Sequence, residues 1–377
     1  MDFGQLFNII YWELNVYHLQ PYIFYNLRNI KKVCKKWNLF WIYNKIIRLD
    51  INIDKIIPNE KIFSLKNSNN IKYLNFNKNN YISDLNLCDS LLYLYCERTK
   101  ISKIPETLNC LEELDCGNTK INEIPETLNC LKVLICYWCE NLIKIPEIKT
   151  LKKLNCYCTN ISEIPETLYC LKELDCNFCQ NLIKIPNIKT LKKLNCLNTK
   201  ISEIPETLNC LEELNCSLCY NLRKIPEIKT LKILCCWNTN ISEIPETLNC
   251  LEKLECQSCK KLIKIPEIKT LKKLYCEDTN ISEIPETLNC LEELDCHFCL
   301  NLIKIPEIKT LKELECSYTK ISEIPEILNC LEELYCRSCK NLRKIPEIKT
   351  LKKLCCDENI EIPKSLLNLI IIKSKNM

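Results

Sequence analysis

The sequence predicts a solenoid of stacked strand-and-return units, and three observations predict it. First, the chain repeats every 40 residues: Ile201–Asn240, Ile241–Asn280 and Ile281–Lys320 follow one template with few changes. A period of this size belongs to supersecondary units that each bury an apolar face against the next. Second, each unit splits into two similar halves, and the leucine opening each half recurs at every twentieth position from Leu91 to Leu351, fourteen times. Third, each half carries Leu-x-Cys, as in Leu214-x-Cys216 and Leu234-x-Cys236. That period-2 alternation turns Leu and Cys inward from a short strand and the residue between them outward.

Along the chain, residues 1–45 break the pattern, are rich in aromatics and end in a basic, helix-like stretch. They are expected to form a short α-helical cap, with Trp37, Phe40 and Trp41 packing on the first turns. Residues 46–372 form the solenoid, with weaker turns opening at Ile46 and Ile71. Stacking one strand per turn makes a long parallel sheet with neighbours about 4.8 Å apart. The return segments, such as Ile-Pro-Glu-Thr-Leu-Asn-Cys, are too short for more than a turn of helix, and Pro pushes the preceding Ile towards extended geometry. Extended or 3₁₀ segments are therefore expected on the side opposite the sheet. A shortened last turn, Leu366-x-x-Leu369-x-Ile371, closes the stack before a polar tail at 373–377.

Charge supports the stacking and excludes some partners. In a parallel stack identical charges would form a repelling column. Instead, the residue before each Ile-Pro alternates, as in Glu203, Lys224, Glu243 and Lys264, and Lys192–Lys193 lies one turn from Glu212–Glu213. With 52 Lys and Arg against 48 Asp and Glu the chain is near neutral, so no nucleic-acid partner is expected. No apolar run approaches the roughly 18 residues of a membrane span, so no membrane partner is expected either. Met1–Leu14 carries Asp2 and Glu13 and lacks a basic start and a small-residue cleavage site, unlike an export signal. The 32 cysteines are then those of a reduced, intracellular protein.

The halves Leu211-x-x-Leu214-x-Cys216-x-x-Cys219 and Leu231-x-x-Leu234-x-Cys236-x-x-Thr239 resemble the leucine-rich repeat family, over roughly residues 46–372. Cys stands where that family usually has its third Leu, and Cys or Thr replaces its Asn, which puts a regular asparagine ladder in doubt. The resemblance implies a horseshoe with the parallel sheet on its concave face. The segment Leu27-x-x-Ile30-x-x-Val33-Cys34-Lys35-Lys36-Trp37 resembles the second half of an F-box, with Glu13 and Leu14 on the acidic and apolar positions of its opening. Ile10-Tyr11 stands where that family has Leu-Pro. An F-box implies docking through Leu27, Ile30, Val33, Cys34 and Trp37 onto a Skp-type adaptor of a cullin-type ubiquitin ligase. A plain cap, and a basic patch from Lys31, Lys32, Lys35 and Lys36, are the other readings of this segment. The chain lacks Ala and has a surplus of Asn, Ile and Lys, the mark of AT-rich codons. As a whole it resembles repeat proteins of giant, mimivirus-like DNA viruses that infect amoebae, which implies the host cytoplasm.

Catalysis finds little support. His18 and His297 are the only histidines, and two glycines cannot build a phosphate loop. The chain is read as no enzyme, without cofactor or metal. Six Cys-x-x-Cys pairs, from Cys136/Cys139 to Cys336/Cys339, invite a zinc or redox reading, but both positions point into the core, where thiols pack as small hydrophobes. A second column (Cys110, Cys130, Cys170, Cys210, Cys250, Cys290, Cys330) is expected to pack likewise, whereas Cys158, Cys235 and Cys355 are turned outward by strand alternation and expected to be reactive.

The turns differ from one another at outward positions around the inward Cys. There the chain places Tyr137, Trp138, Tyr157, Phe178, Trp237, Phe298, Tyr318 and Arg337. Trp, Tyr and Arg dominate protein-binding hot spots, so these residues are the candidate partner site on the concave face. A non-catalytic protein-interaction module follows, with substrate presentation to a host ubiquitin ligase as its extension. The alternatives are a metal- or redox-dependent cysteine-rich protein and a passive structural repeat.

Overall fold

The computed structural model describes residues 14–15, 47–51, 71–78, 83, 85, 89–366 and 370–374. They divide into two compact units, residues 1–182 and 183–377. The first unit carries β1 (Leu14–Asn15), β2 (Ile47–Ile51), β3 (Ile71–Asn75), β4 (Tyr93–Tyr95), β5 (Glu113–Asp115), β6 (Val133–Ile135), β7 (Lys153–Asn155) and β8 (Glu173–Asp175). The second carries β9 (Lys193–Asn195), β10 (Glu213–Asn215), β11 (Ile233–Cys235), β12 (Lys253–Glu255), β13 (Lys273–Tyr275), β14 (Glu293–Asp295), β15 (Glu313–Glu315), β16 (Glu333–Tyr335), β17 (Lys353–Asp357) and β18 (Ile370–Ser374).

Both units are parallel β-solenoids with one strand per turn. Leucine faces leucine in register, as in Leu134↔Leu154 and Leu254↔Leu274. The weaker opening turns follow the same rule, with Leu49 opposite Leu74 and Leu74 opposite Leu94. Each short strand buries its central Leu and leaves the flanking residues partly exposed. The core column of Leu111, Leu114, Cys116, Ile121, Ile124 and Leu128 repeats turn after turn at 5% exposure or less. Burying a side chain of this size contributes roughly 1.5–3 kcal/mol, so stacking alone accounts for the rigid register.

The return segments are extended with tight turns. Leu108 N–H donates to Pro105 O at 3.3 Å and Leu111 N–H to Leu108 O at 3.0 Å. Among the described residues the only helical element is a 3₁₀ turn at Lys364–Leu366. The F-box-like residues Leu27, Ile30, Val33, Cys34 and Trp37, and nearly all of the expected helical cap, lie outside the described residues. Where that region is described, it is a strand and not a helix: β1 runs antiparallel to β2 through Leu14↔Ile51. An edge strand has unpaired backbone groups to satisfy, and a second strand does so directly. At the other end β18 pairs with β17 through Leu354↔Ile371 and runs through Lys373 and Ser374, into the expected polar tail.

A Thr–Cys ladder stands where an asparagine ladder was in doubt. Thr119 Oγ1 donates to Cys116 O at 2.7 Å, and Cys139 Sγ of the next turn donates to the same carbonyl at 3.2 Å. Thr159 with Cys179, Thr239 with Cys259, and Thr279 with Cys299 repeat this sharing of one carbonyl. Buried carbonyls must be satisfied, and a hydroxyl and a thiol reaching from successive turns do so only if the two residue types alternate. The 40-residue period therefore has a cause inside the core as well as on the surface.

The surface cause is charge. Glu212 is bridged by Lys192 at 2.9 Å and Lys232 at 2.8 Å, which hold its carboxyl down to about 2. Lys193–Glu213 and Lys273–Glu293 pair at 2.7 Å. Lys272 turns to Glu252 at 2.8 Å, leaving Glu292 to Lys312 at 2.7 Å. In the column before Ile-Pro, Lys264 and Lys304 reach Glu246 and Glu286, past the expected Glu243 and Glu283.

Candidate recognition face

The outward face of each strand runs into a sharp turn just after the inward Cys. The residue two positions beyond that Cys has a left-handed backbone in every turn, from Lys78 (φ 63°) to Ser338 (φ 52°). The turn is prepared one step earlier: the side chain between inward Leu and Cys accepts the N–H two residues on, as Asp115 does from Gly117 at 3.1 Å and Asn215 from Ser217 at 3.1 Å. Such local bonds explain the recurrence of Asn and Asp there. Left-handed backbone suits Gly, Asn and Asp, and Asn118, Asn198, Asn238 and Asp278 conform. Trp138, Phe178, Phe298 and Tyr318 do not conform, and their side chains stand 47%, 42%, 42% and 44% exposed. Bulky residues held in this region cost roughly 1 kcal/mol or more each.

In the first unit the aromatic group is built around Tyr137. Its ring stacks on Tyr157 with centroids 4.9 Å apart and planes at 3°. On its other side lies Gly117, where an added Cβ would meet Tyr137 Cε1 at 2.5 Å. The chain spends one of its two glycines to seat this ring. The Tyr137 hydroxyl is bonded to Glu97, and burial followed by this bond pushes its pKa well above the ordinary tyrosine value. Asp115, beneath the same group, is raised to about 6, first by burial and then by Glu97 and Glu113, against the Gly117 bond that lowers it. Tyr73, Tyr93 and Tyr95 form a further cluster on this face.

In the second unit Phe298 stacks on Tyr318 at 4.3 Å and 13°, with His297 edge-on to Phe298 at 5.3 Å. His297 Nδ1 is 2.7 Å from Asp295 Oδ1. Burial alone would lower its pKa, but the Asp295 bond and the charges of Asp295, Glu277 and Glu315 outweigh it and raise it. Trp237 is half-buried one turn from the fully buried Ser217, and Arg337 donates its N–H to Ser317 Oγ at 3.0 Å. The fold thus brings Tyr137 to Tyr157, and Phe298 to Tyr318. Trp237 makes no ring contact among the described residues. Sequence reasoning missed Gly117 and Glu97, and also missed that Trp138, Phe178, Phe298 and Tyr318 occupy the left-handed position of their turns. The signal was there: one glycine in the column of Tyr137, and aromatics recurring among Asn, Asp and other residues at one fixed position.

Among the described residues one group of three possible metal ligands converges, Glu277, Asp295 and His297, with ligand atoms within 4.8 Å of one another. His297 falls within the Cys296-x-x-Cys299 pair, but the thiols of all these pairs are buried, whereas Glu277, Asp295 and His297 are half-buried. The thiols of Cys139, Cys179, Cys219, Cys259, Cys299 and Cys339 are brought down to about 7 by bonds from the neighbouring Cys and then Thr, against burial.

Two cysteine expectations are corrected. Cys110, Cys130, Cys170, Cys210, Cys250, Cys290 and Cys330 are exposed, not packed. Each sits third in a tight turn, such as Leu108–Leu111, whose two leucines anchor inward and leave the middle residues in solvent. Conversely Cys158 and Cys235 are half-buried and Cys355 is buried. Cys235 is pushed up to about 12, first by burial and then by Glu255, and Cys158 is raised by burial, Cys179 and Asp175. Outward positions on a strand, or in the turn just after it, lie among neighbouring side chains, whereas a corner of the return segment does not.

No protein-family model matches the sequence, and no curated protein matches it. Solved structures do match. A leucine-rich repeat protein from Leptospira interrogans aligns with TM-score 0.65 and 21% identity, over 88% of this chain and 89% of that one. The functional domain of InlJ from Listeria monocytogenes, described as including a cysteine ladder, aligns with TM-score 0.62 and 21% identity, over 78% of this chain and 62% of that one. The leucine-rich repeat ectodomain of an Arabidopsis thaliana membrane receptor kinase, in complex with Casparian strip integrity factor 2, aligns with TM-score 0.50 and 16% identity, over 98% of this chain and 63% of that one. At these identities the match establishes the fold.

Proposed function

We propose that this leucine-rich repeat solenoid is a non-catalytic recognition module that grips a protein on the outward face of its sheet. The contact residues are Tyr137, Trp138, Tyr157 and Phe178 in the first unit, and Trp237, Phe298, Tyr318 and Arg337 in the second. The observation that carries the reading is the placing of Trp138, Phe178, Phe298 and Tyr318 in exposed, left-handed turns. The same left-handed backbone occurs in every turn, but at these four positions the residue that bears its cost is a bulky aromatic whose side chain faces solvent. Binding offsets it, since rigid aromatics bury large area at small entropy cost.

Photo-crosslinking tests this. p-Benzoylphenylalanine at Trp138 or Phe298 captures one discrete partner in cells, while the same probe at Tyr169 or Tyr220, exposed outside the recognition set, captures none. Equal capture from all four positions would remove the reading. We extend the proposal to the amino-terminal segment: Leu27, Ile30, Val33, Cys34 and Trp37 dock a Skp-type adaptor, so that the gripped protein is presented to a host cullin-type ubiquitin ligase. Purification of the full chain without any Skp-type adaptor would end that extension and leave the recognition face standing. No helix among the described residues is long and apolar enough to cross a membrane.

A further inference from the structure

The second unit breaks a rule that the chain otherwise keeps. Where lysines and glutamates open neighbouring strands, they alternate or find a partner elsewhere. Lys153 pairs with Glu173 at 3.1 Å, and Lys193 with Glu213 at 2.7 Å. Even where Lys253 faces Lys273, each finds a carboxylate, Glu255 and Glu293 respectively. The run Glu293, Glu313, Glu333 is different: three glutamates stand in register on β14, β15 and β16. Beside them Asp295 faces Glu315, so four carboxylates form a block two strands wide. Parallel neighbours lie about 4.8 Å apart, a separation at which like charges repel.

The repulsion is left unrelieved at its centre. Glu293 is held by Lys273, and Glu333 by Tyr335 and, at 3.5 Å, by Lys353. Glu313, between them, has no cation within 4.0 Å among the described residues, and its carboxyl is raised by burial, then by Glu333 and Glu293. Two further carboxylate oxygens in the second unit, Glu277 Oε2 and Asp357 Oδ1, are buried without a donor, while Asp357 Oδ2 accepts Ser338 N–H at 2.8 Å. Asp357 as a whole is 5% exposed. None of this follows from bulk composition, because the chain carries a net charge of +4.

The block is bordered by the exposed Phe298–Tyr318 stack. Carboxylates crowded by like charge, with Glu313 at their centre lacking a paired cation among the described residues, next to open aromatic faces, match one side-chain chemistry. Guanidinium and ammonium groups pair with carboxylates and also lie over rings. Anionic lipids and nucleic acids would be repelled by the same block. We propose that the outward face of the second unit, centred on Glu293, Asp295, Glu313 and Glu315, binds a lysine- or arginine-rich segment of the partner protein. This rests on the recognition reading above and adds the chemistry of what is recognised.

The test uses the full chain and a fluorescein-labelled nona-arginine peptide, with nona-glutamate as its counterpart, read by fluorescence anisotropy. Nona-arginine binds, nona-glutamate does not, and affinity falls about tenfold or more from roughly 50 to 300 mM salt as screening sets in. The triple variant Glu293→Gln, Glu313→Gln, Glu315→Gln loses about tenfold in affinity, while Glu206→Gln, Glu246→Gln, Glu326→Gln, equal in charge and placed on return segments, loses less than about twofold. The single variant Glu313→Gln, which removes no partner from any group, guards against misfolding of the triple and weakens binding in the same direction. Equal weakening by both triples, or a wild-type chain indifferent to nona-arginine, would overturn the proposal. Photo-capture at Phe298 of a partner whose crosslinked segment is acidic or uncharged would overturn it while leaving the recognition reading intact. Absence of capture at every sheet position would sink both.

Discussion

The two units share a core and differ on their faces. Leu134 and Leu254 occupy equivalent positions of the repeat with the same burial, as do Cys136 and Cys256. On the outward side the first unit presents an apolar and aromatic group, Val133, Ile135 and Tyr137 with Trp138, seated by Gly117 and flanked by Tyr157. The second presents paired carboxylates, Glu293 with Glu313 and Asp295 with Glu315, beside one aromatic stack. A solenoid can change its face without touching its core, because strand alternation separates the two sets of side chains. In this chain, then, difference between turns is the informative quantity, and repetition reports only stacking.

The comparison can be broken most directly at the shared core. Leu114→Asp and Leu214→Asp, one in each unit, should each destabilise by more than about 4 kcal/mol, since each buries an unpaired charge. Urea melts showing one substitution tolerated would mean that the cores are not equivalent. On the first face, Gly117→Val should drive the Tyr137 ring off its seat and weaken partner capture at Trp138 about tenfold, while nona-arginine affinity stays unchanged.

A pH profile separates the faces further. Asp115 has a folded pKa of about 6 against its ordinary 3.8. The folded state therefore holds its proton more tightly than the unfolded chain, and stability contributed by the protonated form is lost as pH rises from about 4 to about 6. Asp115→Asn should flatten that slope and stabilise the protein near neutral pH by about 1–2 kcal/mol, measurable as the shift in urea midpoint across the window. Next in size, Trp138→Asn and Phe298→Asn should each raise stability by about 0.5–1 kcal/mol, because Asn accepts the left-handed turn, while reducing capture. A fall in stability with either change would show that the rings pack for the fold. Smallest, Glu313→Lys should stabilise by about 0.5 kcal/mol and Glu213→Lys should destabilise by a similar amount, since the first relieves a repelling run and the second breaks the pair with Lys193.

Most of the fold was legible in the residues. The twentieth-residue leucines and the Leu-x-Cys alternation place each strand, its register and its buried face, because a period of two admits one inward set. The outward aromatics were legible as candidates, but not their grouping. Tyr137 depends on Gly117 and Glu97, one and two turns away, and linear reading gives no ring geometry. The exposed column at Cys110 was misread because a turn corner and a strand position look alike when both follow a strict repeat. The acidic run at Glu293, Glu313 and Glu333 was visible in the letters, yet it has meaning only once register sets the three side by side.

Periodicity thus settled the stack, since local alternation and repeat length leave one way to bury those leucines. Three-dimensional packing settled the rest. It chose which thiols meet solvent, which aromatics stack, and which carboxylates are left without a counter-charge. These depend on neighbours about twenty residues away and on the hand of a single turn, quantities that exist only after the chain has closed on itself.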